Sequence, residues 1–334
     1  MREDLLTTFA SACHLRLDER SGFKEWLLAK KGSYTVRSGT SSGYSISADS
    51  VGLARHLLVD VELLTNGCFE HLQEVFGFSS GSGVRSDAWN IVTVYYFSFY
   101  CAQTLLRLVG SPITYVNKNE ASDLALLVTG GPSKSAGAGA YHFKRLTPPS
   151  DGTVEYLLKK STMGRVHDAV WNALFSYLES VNVNSGAGNQ EEKRILDFLT
   201  SKVLHSMYGN YSWPSELRNR ANYWPGYIYR QVERKSLVNV RKLTTNWRAA
   251  TMAELLATIT AAEVGCSPVK KTSIESHVGF LYAFANTLFL LTRQLYSELL
   301  DRRLIDSRWE LKRSKYKSSM SQPSANLLVM SKTY

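Results

Sequence analysis

Apolar residues recur along this chain at steps of three and four, the spacing that gathers side chains on one face of an α-helix. Leu53, Leu57, Val61, Leu64, Cys68, Leu72 and Val75 form one such stripe and predict a long amphipathic helix. A second helix is predicted from about Arg85 to Gly110, through Ala88, Val92, Tyr95, Phe99, Ala102, Leu106 and Val109. Gly110 and Pro112 close it, since glycine suits the residue after a helix and proline cannot continue one. Further helices fit 163–181, 189–207 and 250–264. The last and longest begins at Thr272, where Thr272 and Glu275 have the spacing of a capping box. Its apolar face is Val278, Leu281, Phe284, Leu288, Leu291, Leu295 and Leu299.

Two stretches break this period. Residues 32–50 (GSYTVRSGTSSGYSISADS) are rich in glycine and serine with short alternating pieces, the texture of a hairpin or loop. From 111 to 160 glycines interrupt the helices, and ITYV and TVEYLL read as short strands in an insertion between helices. No internal repeat is visible. The expected fold class is mainly α, a helical bundle with one or two β insertions. Its expected organisation is an N-terminal extension over 1–49, a helical domain over 50–308 with the insertion at about 111–160, and a basic tail over 309–334.

The longest apolar run, Val278 to Leu291, is about fourteen residues and contains Asn286 and Thr287. It falls short of the roughly 20 residues that cross a bilayer, so it predicts a buried helix and no membrane span. Glu3 and Asp4 stand where a signal peptide would carry basic residues. Cys13, Cys68, Cys101 and Cys266 are widely spaced and form no C-x-x-C pair, which argues against a zinc site or a disulfide framework. A soluble chain in the cytoplasm is the expectation.

Charge sharpens the picture. The 39 Lys and Arg against 29 Asp and Glu leave a formal net charge of +10, which draws a chain to polyanions, nucleic acid first. Gly130-Gly131-Pro132-Ser133-Lys134-Ser135 lacks the glycine directly before the lysine, and the one five residues further back, with which a P-loop wraps phosphate. The histidines, at 14, 56, 71, 142, 167, 205 and 277, show no H-x-x-x-H or H-E-x-x-H spacing, so no metal site and no cofactor are expected. His167 and Asp168 are adjacent on a helix, which reads as ordinary surface rather than an acid/base pair. Residues 214–248 stand apart: eight Lys and Arg against two Glu leave +6, and Tyr223, Trp224, Tyr227, Tyr229 and Trp247 are interleaved. That mixture holds a phosphate backbone and stacks on exposed bases. Arg220, Arg230, Arg234, Lys235, Arg241 and Lys242 are the candidate nucleic-acid contacts.

Within this stretch a short helix is expected, with Pro214 in its first turn and a stop at Trp224, because Pro225 disfavours helical geometry before it. On that helix Asn219 and Tyr223 are i,i+4 neighbours, and so are Arg218 and Asn222. Arginine brings a permanent charge and a planar fork of donors, while asparagine and tyrosine bring neutral partners beside it. The group has the makings of a phosphate clamp.

Two segments carry a resemblance. WNIVTVYYFSFYCAQTLLRLVG (89–110) resembles the second helix of HEPN domains, with its paired tyrosines, small residues and Leu-Leu before a glycine. RNRANY (218–223) resembles the HEPN signature R-N-x-x-x-H, with tyrosine in place of histidine. The resemblance implies a HEPN-like helical bundle, commonly a homodimer, acting as a metal-independent endoribonuclease of toxin–antitoxin or antiphage-defence type, with an antitoxin or defence-complex partner protein. It implies that Arg218 holds the scissile phosphate, that Asn219 orients it, and that Tyr223 stands where the family histidine handles a proton. The alternative is a catalytically silent HEPN module that binds nucleic acid or nucleotide within a larger complex.

Overall fold

The computed structural model describes residues 1–9, 21–29, 34–38, 43–79, 87–129, 137–146, 151–184, 190–202, 204, 208, 211–224, 252–266, 274–302 and 304. Two short helices, α1 (Arg2–Phe9) and α2 (Phe23–Leu28), precede strands β1 (Tyr34–Ser38) and β2 (Gly43–Asp49). The long helices α3 (Ser50–Ser79) and α4 (Asp87–Leu108) follow. Then come β3 (Ile113–Val116), α5 (Lys118–Leu126), β4 (Val128–Thr129), β5 (Gly139–Arg145) and β6 (Thr153–Lys160). The C-terminal half holds α6 (Val166–Asn184), α7 (Gln190–Leu199), α8 (Trp213–Tyr223), α9 (Met252–Gly265) and α10 (Ile274–Asp301).

A mainly α, HEPN-like bundle with short β insertions does not describe this chain. All six strands join in one mixed sheet, in the order β3-β5-β6-β2-β1-β4. The hairpin β1–β2 and the 111–160 segment are therefore one structure, sealed where β2 pairs β6 antiparallel over seven residues, from Gly43↔Lys159 to Asp49↔Thr153. The physical reason is alternation. Tyr44, Ile46 and Ala48 on β2, and Val154, Tyr156 and Leu158 on β6, are buried at every second position and give the sheet a continuous apolar face. That face needs a helical layer over it. Phe23 and Trp26 of α2 supply part, with Phe23 edge-on to Phe143 at 4.9 Å and Phe143 stacked on Tyr156 at 4.1 Å. Helix α5, also unforeseen, starts at a full capping box between Asn117 and Glu120.

The helices that the periodicity predicts are present. Helix α4 is their centre, packed by α3, α6, α8 and α10. Ile91, Val94, Tyr95, Phe97, Cys101, Ala102, Leu105, Leu106 and Leu108 are buried around its whole circumference, the pattern of a helix with neighbours on every side. Gly67 lets α3 come close: a Cβ there would lie 3.2 Å from the Tyr100 ring. In the same seam the Cys101 thiol donates to Cys68 Sγ at 3.6 Å, so two cysteines distant in sequence are neighbours in space, both as free thiols. Gly110 ends the helix at φ 70°, with its N–H donating to the Arg107 carbonyl and that of Ser111 to the Leu106 carbonyl, a Schellman turn. The helix expected over 189–207 stops at Leu199. The Thr272–Glu275 capping pair involves residues outside those described.

One ion pair ties the layers together. Arg107, 8% exposed along its side chain, donates from Nε to Asp60 Oδ2 at 2.6 Å, and from Nη2 to the Ile113 carbonyl at 3.4 Å. Asp60 Oδ1 accepts the Phe23 N–H at 3.1 Å. Helices α2 and α4 thus meet on one carboxylate of α3, and Arg107 carries the network on to β3. No helix among the described residues is long and apolar enough to cross a membrane.

Candidate phosphate site

Helix α8 is built to fix its arginines. Pro214 sits in the first turn, and Trp213, Leu217 and Ala221 are buried at i, i+4 and i+8. Trp213 packs edge-on to Phe280 and Phe284 of α10. The helix ends at Trp224, whose φ of -111° and ψ of 88° lie outside the helical region that Pro225 disfavours before it. With one face anchored, Arg218 and Arg220 fall on opposite flanks, because two residues advance a helix by about 200°.

On the first flank the Arg218 guanidinium carbon lies 5.0 Å from the Tyr95 ring centroid and 5.8 Å from that of Tyr96. The two sequence segments singled out above therefore meet. The Tyr95 hydroxyl has three further neighbours: His167 Nδ1 at 2.7 Å, Ser215 Oγ at 3.1 Å and Trp171 Nε1 at 3.4 Å. His167 in turn stacks on Phe99 at 4.3 Å. The Nε of Arg218 is buried without a hydrogen-bond partner, while Arg218 and His167 as whole residues are half-buried.

The second flank repeats the parts but closes them. The Arg220 guanidinium carbon lies 4.7 Å from the Tyr208 ring centroid and 5.2 Å from that of Trp224, and the Tyr208 hydroxyl contacts His277 Nδ1 at 2.8 Å. Here the second imidazole nitrogen, Nε2, is buried and unpartnered. A ligand arriving from solvent meets His167 and not His277.

Of the residues expected to form the clamp, the structure places Arg218 at the site, but Tyr223 stands on the outer side of α8, 71% exposed. Neither Asn219 nor Tyr223 is hydrogen-bonded to Arg218. Arg230, Arg234, Lys235, Arg241 and Lys242 lie outside the described residues. His167, read from sequence as ordinary surface, is the proton-bearing group that the fold brings to Arg218. The signal for it was indirect: the run Tyr95, Tyr96, Phe99, Tyr100 carries more aromatic surface than one core stripe needs. In the structure Arg218, His167 and His71 pack against these rings. His71 stacks on Tyr96 and Tyr100 at 5.7 and 5.4 Å. Among the described residues no three His, Cys, Asp or Glu are grouped so as to hold a metal ion.

Burial shifts the site's titrations. It holds His167 below the ordinary 6.5, the positive charge of Arg218 pushes the same way, and Asp168 opposes both. The imidazole is neutral at neutral pH. Burial pushes the Tyr95 phenol up to about 12, against the pull of Ser215, Trp171 and Arg218, so it keeps its proton.

Burial also lowers His71, His277 and His142, the last to about 4. An unfolded chain takes up these protons near pH 6.5 and the folded chain refuses them, so stability is full at neutral pH and declines as pH falls through 6.5 toward 4. From His142 alone the loss between pH 7 and pH 5 is about 2 kcal/mol, at 1.36 kcal/mol for each pKa unit. Denaturant titrations at pH 7 and pH 5 check this, and His142→Gln should flatten the difference.

Comparison with family models, with characterised proteins and with solved structures gives no match to this chain.

Proposed function

We propose that the chain binds single-stranded RNA at the Arg218–His167 flank of α8 and cleaves it without a metal ion: the RNA's own 2′-oxygen bonds to the adjacent phosphorus as the bond to the 5′-oxygen breaks, solvent taking the 2′-hydroxyl proton and protonating the departing 5′-oxygen. The observation that carries this reading is the convergence of two half-buried residues on Tyr95, Arg218 over its ring and His167 at its hydroxyl. A guanidinium fork engages two phosphate oxygens at once, and charge that grows on phosphorus-bound oxygen in the transition state is best met by donors already in place. A net charge of +10 supports a polyanionic ligand. So does the resemblance to HEPN ribonucleases, whose paired tyrosines and arginine correspond here to residues in contact.

Purified protein in EDTA should cut RNA into fragments ending in 2′,3′-cyclic phosphate, and should bind DNA of the same sequence without cutting it. Cleavage that EDTA abolishes, or that consumes DNA equally, overturns the reading. A second reading is a binding module without catalysis, favoured by the outward position of Tyr223, where the resemblance would place a proton-transfer residue. Salt-sensitive RNA binding with no cleavage under any of these conditions would establish it.

A further inference from the structure

The Tyr95 oxygen has one proton to give and can accept two, and its three neighbours leave few ways to distribute them. Trp171 Nε1 can only donate. In one arrangement the Tyr95 O–H donates to His167 Nδ1, and the phenol oxygen accepts from Trp171 and from the Ser215 hydroxyl. Every proton around the phenol oxygen then has a partner, and the imidazole's own proton sits on Nε2. In the other, Nδ1–H and Trp171 both donate to the phenol oxygen, Tyr95 donates to Ser215 Oγ, and the Ser215 proton has none. Ser215 is 2% exposed and Tyr95 is fully buried, so water cannot relieve that orphan. Ser215 Oγ has no other hydrogen-bond partner among the described residues.

We infer that Tyr95 is a positioning residue that fixes His167 as the tautomer with its proton on Nε2, the nitrogen that Tyr95 leaves unengaged. The site then meets its ligand with donors alone, the Arg218 fork and the His167 Nε2–H, which suits an anionic phosphodiester oxygen. Arg218 reinforces the arrangement, because a positive charge beside the phenol makes it a better donor to Nδ1. The lowered pKa of His167 keeps the imidazole in its neutral, two-faced form at neutral pH. The closed flank makes a useful contrast: Tyr208 meets His277 Nδ1 in the same way, but Nε2 there is buried and has no ligand to serve.

The tautomer follows from the structure alone; its use as a phosphate donor rests on the proposed function. Long-range proton–nitrogen correlation spectra of the full chain, labelled with nitrogen-15 histidine, read both. Above the pKa of His167, Nδ1 should resonate as a bare lone pair and Nε2 as N–H, with no averaging between them. Tyr95→Phe should move both nitrogens toward the average of two tautomers. Ser215→Ala, a milder change, should keep the wild-type pattern, because Tyr95 still has only Nδ1 to donate to. A protonated Nδ1 in the wild type, or an unchanged spectrum in Tyr95→Phe, overturns the inference and leaves the ribonuclease reading standing. Titration with a short single-stranded DNA, which carries the phosphodiester but cannot be cut through a 2′-hydroxyl, should shift Nε2 and leave Nδ1 unprotonated. The expected tautomer with an Nε2 that ignores the oligonucleotide overturns the phosphate role, and the proposed function with it.

Discussion

Arg218→Ala is expected to remove RNA cleavage by about 10² or more, the range seen when one preorganised charge-stabilising donor is lost. Stability should change little. The side chain gives up a cation–π contact with Tyr95 and Tyr96 worth about 0.5–1 kcal/mol, and a buried unpartnered Nε disappears with it. Arg218→Lys separates charge from geometry: it keeps one positive charge but not the fork, and should recover only a small part of the rate. Both variants also report on His167. Arg218 helps to hold that imidazole below the ordinary 6.5, so its loss in the alanine variant should raise the histidine pKa, read from the nitrogen-15 titration of His167. Cleavage that survives Arg218→Ala would remove Arg218 from the chemistry. Circular dichroism and a melting curve on the same sample exclude an unfolded variant.

Asp60→Ala should be the most damaging single change to the fold. Its carboxylate compensates Arg107 inside the protein and caps the Phe23 N–H, so removing it strands a buried guanidinium and an unpaired amide together. Breaking a buried pair from one side typically costs about 3–5 kcal/mol, far more than an exposed pair is worth. Asp60→Asn should cost nearly as much, because an amide can still accept from Phe23 but turns a donor or a neutral oxygen toward Arg107. Urea denaturation gives the number directly. A loss below about 1 kcal/mol would mean that water screens the pair as it does on a surface.

Legibility in the sequence followed the range of the interactions. Helices α3, α4 and α10 were readable because each carries its own apolar stripe, and α8 because Pro214 and Pro225 bracket it, as Gly110 closes α4. The strands were half readable: TVEYLL alternates visibly, whereas GAYHFKR hides Ala140, Tyr141 and Phe143 behind a run of small residues. Their union into one sheet was not readable. The pairing of Ile46 with Tyr156 spans more than a hundred residues and leaves no periodic trace in either segment. The site divides in the same way. Arg218 was found through its own neighbours, but His167 gains its meaning from Tyr95 and Ser215, which come from other helices. An adjacent His-Asp pair on a helix gives no hint of that.

The order of the sheet bears on how copies of this chain behave at high concentration. Its outermost strands, β3 and β4, are the shortest, with four and two residues against five to eight for those between them. A strand at the rim exposes unpaired backbone groups on which a foreign strand can grow, and a short one offers too few to hold it. The long apolar-faced strands β2, β5 and β6 sit inside, paired on both sides. The folded protein is thus shielded against strand-by-strand aggregation, and fibril growth should require prior opening of the β2–β6 seam.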